Sequence, residues 1–180
     1  MTMKDTLFLD RDGVINVQIV GGYVRRPEEF VLVNGVLTAM QWLRPKFRRI
    51  IVVTNQQCVG KRLCKMEDIN EIHRRMRVIF EENVTPLDAV YCCPHLAGAD
   101  CGCRKPDIGM ALQAKADFPD IDFADSVMAG DSLTDMQFAV NAGILPVHVG
   151  AKHPREYEEI LKITQLHYRN LLEFAKNFPV

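Results

Sequence analysis

The chain has 180 residues, 48% of them hydrophobic, and its formal net charge is −1. This length is enough to bury one substantial core and short for two ordinary domains, so we expect residues 1–180 to form a single domain. Basic and acidic residues are interspersed along the chain, which argues against a nucleic-acid partner and against binding to an anionic membrane surface.

The N-terminal residues have neither the apolar length nor the small-residue cleavage site of a secretory signal. No segment approaches the roughly 20 apolar residues that a membrane-spanning helix needs. We therefore expect a cytoplasmic protein. In a reducing compartment its six cysteines are expected to be thiols or metal ligands and not disulfides.

Alternating patterns along the chain predict an α/β fold. Short apolar runs, each followed by loop residues, predict buried parallel strands at residues 6–9, 50–53, 89–92, 126–129 and 145–149. Apolar residues at helical spacing predict helices at residues 36–43, 66–80, 109–116 and 134–142. Because strands and helices alternate, we expect a doubly wound, mostly parallel, five-stranded Rossmann-like sheet.

The C-terminal part, residues 154–178, is predicted to be helical. Pro154 is expected to enter a first helix from residue 156 to about 163, and a second helix should run from about 168 to 177. Both are expected to cover the edge of the sheet.

A pair of carboxylates follows the first predicted strand. Asp10 and Asp12 stand two residues apart and precede Gly13, which permits a turn that other residues resist. In open α/β sheets, ligands bind outside the carboxyl ends of the strands. Asp10, ionised at neutral pH, could attack phosphorus directly, and Asp12, with a raised pKa, could give and take the proton. A simple Asp turn or helix cap is the alternative for this short motif.

Three further strand ends carry polar residues that complete this chemistry. Thr54 and Asn55 follow the second strand and could donate hydrogen bonds to phosphate oxygens, although Thr-Asn is also common in turns. Lys105 could neutralise a transferring phosphoryl group, and Asp131 could join Asp10 and a backbone carbonyl near Asp12 in holding Mg²⁺. Asp135 fits either a loop-fixing role or a helix cap.

A cluster of cysteine and histidine residues lies in the long connection after the third strand. Cys93 and His95 are followed, after five residues, by Cys101 and Cys103. Three thiolates and one imidazole suit a closed, tetrahedral, structural zinc site in a loop of residues 92–108. Free thiols with a surface histidine are the alternative.

The polar residues at the four strand ends, and not the cysteine cluster, resemble the four motifs of the haloacid dehalogenase (HAD) superfamily of phosphatases over residues 7–149. The resemblance implies Asp10 as the nucleophile and Asp12 as the general acid and base. It also implies contacts of Thr54 and Lys105 with the phosphoryl group, and Mg²⁺ bound by Asp10, by the carbonyl of Asp12 and by Asp131.

A closer similarity, to the D-glycero-D-manno-heptose 1,7-bisphosphate 7-phosphatases, is carried by residues 10–16, 22–24, 53–56, 93–95, 101–106 and 109–110. Histidinol-phosphate phosphatases are relatives of these enzymes. These enzymes lack a cap domain and carry a zinc loop. The resemblance implies a small phosphorylated sugar as substrate, release of its C7 phosphate, Mg²⁺ and Zn²⁺ as cofactors, and a monomer. It implies substrate contacts from Arg11, Gly21, Gly22, Tyr23, Val24, Asn55, Gln56, Gln57 and Arg104.

The sequence departs from this family at Asn34, Gln57-Cys58 and Ser132, where proline, Ser-Gly and, in some members, lysine are usual. These departures bear on substrate and anomer preference. Histidinol phosphate or another sugar phosphate are alternative substrates. A receiver-type signalling domain and a non-catalytic zinc module are alternative functions. Receivers differ from this sequence, because they pair adjacent acids after their first strand and accept phosphate on the third.

Overall fold

The computed structural model describes residues 3–151 and 156–178. Its strands are β1 (Lys4–Leu9), β2 (Phe47–Asn55), β3 (Ala89–Cys93), β4 (Val127–Gly130), β5 (Leu145–Val149) and β6 (His167–Tyr168). Its helices are α1 (Val36–Leu43), α2 (Gln57–Gly60), α3 (Met66–Glu82), α4 (Gly109–Asp117), α5 (Leu133–Ala142), α6 (Tyr157–Ile163) and α7 (Leu171–Asn177).

All strand pairings in the sheet are parallel, in the order β3-β2-β1-β4-β5-β6. The chain proceeds outward from β1 first on one side, through β2 and β3, and then on the other, through β4 and β5. The order therefore reverses at β1. In an open α/β sheet this reversal creates a crevice at the carboxyl ends of the strands.

Both faces of the sheet are buried. Successive side chains of a strand point to opposite faces, so one strand supplies side chains to both. In β1, Leu7 and Leu9 pack with α1 and α7 on one face, whereas Phe8 packs with α4 and α5 on the other. This explains why the strands have continuous apolar runs and no alternation with polar residues. The prediction of a doubly wound parallel sheet is confirmed.

The structure adds a short sixth strand to the five that the sequence predicts. Tyr168, expected to begin the last helix, instead pairs with Val149 at the edge of β5. The helix begins only at Leu171, where Asn170 accepts a hydrogen bond from the backbone N–H of Glu173 at 2.9 Å. The expectation that both C-terminal helices cover the edge was wrong: α7 packs on a face of the sheet beside α1, and β6 covers the edge.

The remaining helix predictions agree with the structure to within two residues, and the predicted entry at Pro154 lies outside the described residues. Residues 10–35, between β1 and α1, form loops with one short 3₁₀ turn, Pro27–Glu29, and contain no inserted cap. Within the described ranges, no helix combines the length and apolar character needed to cross a membrane.

Candidate active site

Asp10 stands at the centre of the crevice, directly after β1. Its backbone N–H donates to the carbonyl of Ala129 at 3.0 Å, which continues the pairing with β4 for one more residue. Its carboxylate accepts a hydrogen bond from Lys105 Nζ at 2.7 Å. The strand thus holds this carboxylate at the point where the strand order reverses.

Lys105 is buried between two carboxylates. Its Nζ atom lies 2.7 Å from Asp10 and 2.6 Å from Asp135, and it also donates to the carbonyl of Val53 at 2.8 Å. Despite burial, the two carboxylates raise the pKa of Lys105, so the side chain stays cationic. The Asn55 side chain fixes the lysine backbone, accepting from its N–H at 3.0 Å and donating to its C=O at 3.1 Å.

The Asp12 carboxylate is held by hydrogen bonds from three side chains. Arg11 Nη2 donates to both oxygens at 3.0 and 2.9 Å, Asn16 donates at 2.9 Å and Gln56 at 2.6 Å. Burial alone raises the pKa of Asp12, but Arg11 and these hydrogen bonds outweigh it, and the pKa lies below its ordinary value. The expected raised pKa of Asp12 is therefore wrong for the ligand-free protein, because its immediate neighbour is a guanidinium.

Thr54, at the end of β2, lies at the crevice. Gln56 donates to Thr54 Oγ1 at 2.9 Å, so this oxygen already accepts one hydrogen bond. A hydroxyl that accepts from one partner can donate to another. Thr54 is therefore placed to donate to an oxygen of an anion next to Asp10.

Three carboxylates gather around the crevice, since one oxygen from each of Asp10, Asp131 and Asp135 lies within 4.8 Å of the others. Gly13 makes the approach of Asp131 possible, because a Cβ there would lie 1.9 Å from Asp131 Oδ2. Burial raises the pKa of Asp10 to about 7 and that of Asp131 to about 8, although Lys105 opposes both shifts. Oxygen ligands with surplus negative charge fit a hard divalent cation such as Mg²⁺.

A cavity of about 210 Å³ opens above these carboxylates. Most of the site residues that the sequence predicts line it: Asp10, Asp12, Gly22, Tyr23, Val24, Thr54, Asn55, Gln57, Arg104, Lys105 and Asp131. The structure adds Gln18, Ile19 and Thr134 to this lining, residues that the sequence analysis missed. Gln18 and Ile19 are separated by one residue from the predicted segment that begins at Gly21, and this closeness is the signal that could have indicated them.

Three predicted substrate-binding residues lie elsewhere. Arg11 and Gln56 have exposed fractions of 0% and 1%, because both side chains are turned behind the cavity to bind Asp12. Both side chains support Asp12 from behind the cavity, and contact of these two residues with a ligand stays a prediction. Gly21 is exposed at the surface beside the cavity lining.

A further cation, Lys61, contacts Tyr23 in the wall of the cavity. Lys61, which follows α2, donates through Nζ to the hydroxyl of Tyr23 at 2.7 Å and lies over the tyrosine ring. This contact joins two segments that both line the cavity, the loop containing Tyr23 and the short helix α2, which begins at Gln57. Lys61 carries no signal in the sequence, because its partner is 38 residues away.

The predicted zinc ligands converge at the end of β3. The three sulfur atoms of Cys93, Cys101 and Cys103 lie 2.9 to 3.6 Å apart. His95 Nδ1 lies 3.6 Å from Cys93 Sγ and 3.3 Å from Cys103 Sγ. Ligands around tetrahedral zinc, with Zn–S bonds of about 2.3 Å, stand roughly 3.7 Å apart. This set of four donors therefore fits a zinc ion that has no open position for water.

The comparisons with known proteins agree with this geometry. The family model described as polynucleotide kinase 3 phosphatase matches residues 7–157. A D-glycero-alpha-D-manno-heptose-1,7-bisphosphate 7-phosphatase of Mycobacterium tuberculosis is 42% identical over 135 residues, covering 75% of this chain and 71% of that protein. A D-glycero-beta-D-manno-heptose-1,7-bisphosphate 7-phosphatase of Vibrio cholerae is 38% identical over 148 residues, covering 78% of each chain.

A crystal structure of D,D-heptose 1,7-bisphosphate phosphatase from B. bronchiseptica, complexed with magnesium and phosphate, is similar over 96% of both chains. Its TM-score is 0.81 and its sequence identity is 28%. The chain therefore belongs to the haloacid dehalogenase superfamily of phosphatases, in the family that contains the heptose-1,7-bisphosphate 7-phosphatases.

Proposed function

We propose that this chain removes the C7 phosphate of D-glycero-D-manno-heptose 1,7-bisphosphate through an aspartyl-phosphate on Asp10, in the biosynthesis of nucleotide-activated heptose for surface glycans. The observation that carries this proposal is the position of the Asp10 carboxylate, beside a buried cation and at the mouth of the cavity. Relatives named for this substrate, at 37 to 42% identity, support it over histidinol phosphate.

In the first step, Asp10 attacks phosphorus, a new P–O bond forms to its carboxylate, and the bond to the sugar oxygen breaks. Asp12 gives its proton to the leaving oxygen. A phosphate group next to Asp12 is a like charge that raises its pKa and so favours the protonated acid in the complex. In the second step, Asp12 takes a proton from water, which attacks phosphorus and frees Asp10.

The other residues bind and orient the phosphoryl group. Lys105 and the Thr54 hydroxyl donate to its oxygens, where positive charge and donors stabilise the transition state most. We propose Mg²⁺ at Asp10, Asp131 and the backbone carbonyl of Asp12, where it would supply further positive charge next to the phosphoryl oxygens. The magnesium and phosphate in the B. bronchiseptica structure support this choice of ion.

We propose that Cys93, His95, Cys101 and Cys103 hold a structural Zn²⁺. Arg104 and Lys105 directly follow the last of these ligands. A fixed zinc loop therefore positions Lys105 toward Asp10 and Arg104 toward the rest of the substrate. Gly22, Tyr23, Val24 and Gln57 complete the walls around the sugar.

We also propose that the chain acts as a single domain and a monomer in the cytoplasm, on a small sugar phosphate and without a nucleic-acid or membrane partner. Six unpaired cysteines support a reducing compartment. A cavity of about 210 Å³ and a net charge of −1 support a small substrate held by local contacts.

Parallel kinetics test the substrate. We expect kcat/KM for heptose 1,7-bisphosphate, in its better anomer, to exceed that for histidinol phosphate by about 10²-fold or more, because polar groups arranged for one ligand are left unpaired by another. Phosphorus NMR should show one phosphate retained at C1. Both anomers are assayed, since Ser132 replaces a lysine near the substrate. A higher kcat/KM for histidinol phosphate would contradict the assignment.

Magnesium should stabilise the protein more at high pH. The pKa values of Asp10 and Asp131 rise from 3.8 to about 7 and 8 on folding. The folded metal-free protein therefore binds more protons than the unfolded chain between roughly pH 4 and 8, and its free energy of unfolding falls as pH rises. Mg²⁺ displaces these protons, so its stabilising effect grows with pH.

Thermal unfolding with chelator or with Mg²⁺ measures this effect. The increase in melting temperature on adding Mg²⁺ should be larger at pH 8 than at pH 5, and Asp131→Asn should reduce it. Equal increases at both pH values would show that these carboxylates do not bind the ion.

A further inference from the structure

Arg11 is charged and fully buried, yet it does not face the cavity. Its Nη2 atom donates to both oxygens of Asp12, and its Nη1 atom lies 3.1 Å from Nε2 of His73. Burying a guanidinium is costly unless its N–H groups find acceptors. Asp12 accepts hydrogen bonds from Nη2 and His73 accepts one from Nη1, whereas Nε has no acceptor among the described residues.

His73 comes from α3, 62 residues further along the chain. It lies on the buried face of this helix with Ile69, Ile72 and Met76, and 7% of its surface is exposed. Burial and the charge of Arg11 lower the pKa of His73 to about 3, so the ring is neutral. Because arginine can only donate, Nε2 must be the accepting nitrogen and the ring proton must be on Nδ1.

This arrangement links a helix outside the cavity to the carboxylate that transfers protons. Without an acceptor at His73, the guanidinium would be free to turn away from the bidentate geometry that holds Asp12. Asn16 and Gln56 each give Asp12 one hydrogen bond, whereas Arg11 gives two. A general acid must stay within hydrogen-bonding reach of the leaving oxygen, and small displacements are costly in rate.

We propose that His73 is a positioning residue for catalysis: by accepting a hydrogen bond from Arg11, it aims Arg11 at Asp12 and keeps Asp12 in place for proton transfer. This inference rests on the proposed function and deepens it. It concerns the orientation of Asp12 and not the substrate pocket, so KM should change little.

The leaving group distinguishes positioning from a merely structural role. A sugar alkoxide leaves only with a proton from Asp12, whereas p-nitrophenolate leaves without one. In His73→Leu, phosphoryl transfer from the sugar phosphate should slow by about 10- to 100-fold. The burst of p-nitrophenolate from p-nitrophenyl phosphate, which reports formation of the phosphoenzyme, should stay within about 3-fold of the wild type. His73→Gln, which keeps an acceptor, should recover most of the loss.

Two further variants keep the test decisive. Met76→Ala leaves a cavity on the same helix face and is expected to cost stability without changing the ratio of the two rates. If His73→Leu does not fold, Arg11→Lys, which keeps the charge but not the fork, should give the same selective loss. Equal slowing of both substrates, or no slowing, overturns the inference. A wild-type protein that hydrolyses neither substrate overturns the proposed function, and the inference with it.

Discussion

Asp10→Asn should reduce kcat by at least about 10³-fold, because an amide cannot form the phosphoenzyme, and the loss of a nucleophile from a cooperating set is among the largest single-residue effects. The substitution keeps the size of the side chain and removes a carboxylate whose burial is unfavourable to its charged form. The protein should therefore fold, and its melting temperature without metal should not fall.

Asp120→Asn is the matched control. Asp120 is an exposed aspartate that pairs with Arg48 and Arg49 far from the cavity, and exposed pairs contribute little to stability. It should leave kcat unchanged. If Asp10→Asn were to retain more than about a tenth of the activity, covalent catalysis at Asp10 would be refuted.

Removing the zinc ion should destabilise the protein and inactivate it together. Structural zinc binds with roughly 10 to 16 kcal/mol, which is comparable with the stability of a whole domain. The loop can unfold locally, so only part of this appears as global stability. A loss of at least about 3 kcal/mol would lower the melting temperature by roughly 6 to 12 °C. Activity should fall as well, because the zinc loop no longer fixes the position of Lys105.

A comparison of Cys101→Ser with Cys64→Ser distinguishes a zinc ligand from an ordinary thiol. Both cysteines are half-buried, but only Cys101 lies within reach of the other three ligands. Metal analysis should find about one zinc per chain in the wild type and in Cys64→Ser, and much less in Cys101→Ser. A zinc-free wild type whose activity survives Cys101→Ser would rule out this site.

Short-range patterns were sufficient to predict five of the six strands of the sheet. Leu7, Phe8 and Leu9 are all buried, which is typical of a strand covered on both faces and identifiable from the sequence. The start of β2 was less visible, because Arg48 and Arg49 interrupt its apolar pattern. They are tolerated at this position because Asp120, 71 residues beyond Arg49, accepts their hydrogen bonds.

The positions of polar side chains depend on distant partners and could not be predicted. Arg11 is expected, from the family resemblance, to contact the substrate. It is buried because His73, on a helix that the sequence places far away, accepts one end of its fork. The guanidinium of Arg11, held beside Asp12, and the hydrogen bonds from Asn16 and Gln56 lower the pKa of Asp12 against the effect of burial. The strand β6 was missed for another reason: two residues are too few to show any periodicity.

The candidate site itself was largely visible, since its residues lie directly after apolar strands. Asp10 and Asp131 follow β1 and β4, Thr54 is near the end of β2, and the parallel register brings these ends to one edge of the sheet. What the sequence could not give is the shape of the cavity. Gln18 and Ile19 enter its wall from a loop without any periodic signal.

Trapping the covalent intermediate tests the central claim most directly. The protein is mixed with substrate and Mg²⁺, quenched in acid within milliseconds, and digested for mass spectrometry. The account predicts that the peptide containing Asp10 gains the mass of one phosphoryl group, and that this species disappears as phosphate is released. Phosphate release with no modified peptide, or with the phosphoryl group on another residue, would contradict it.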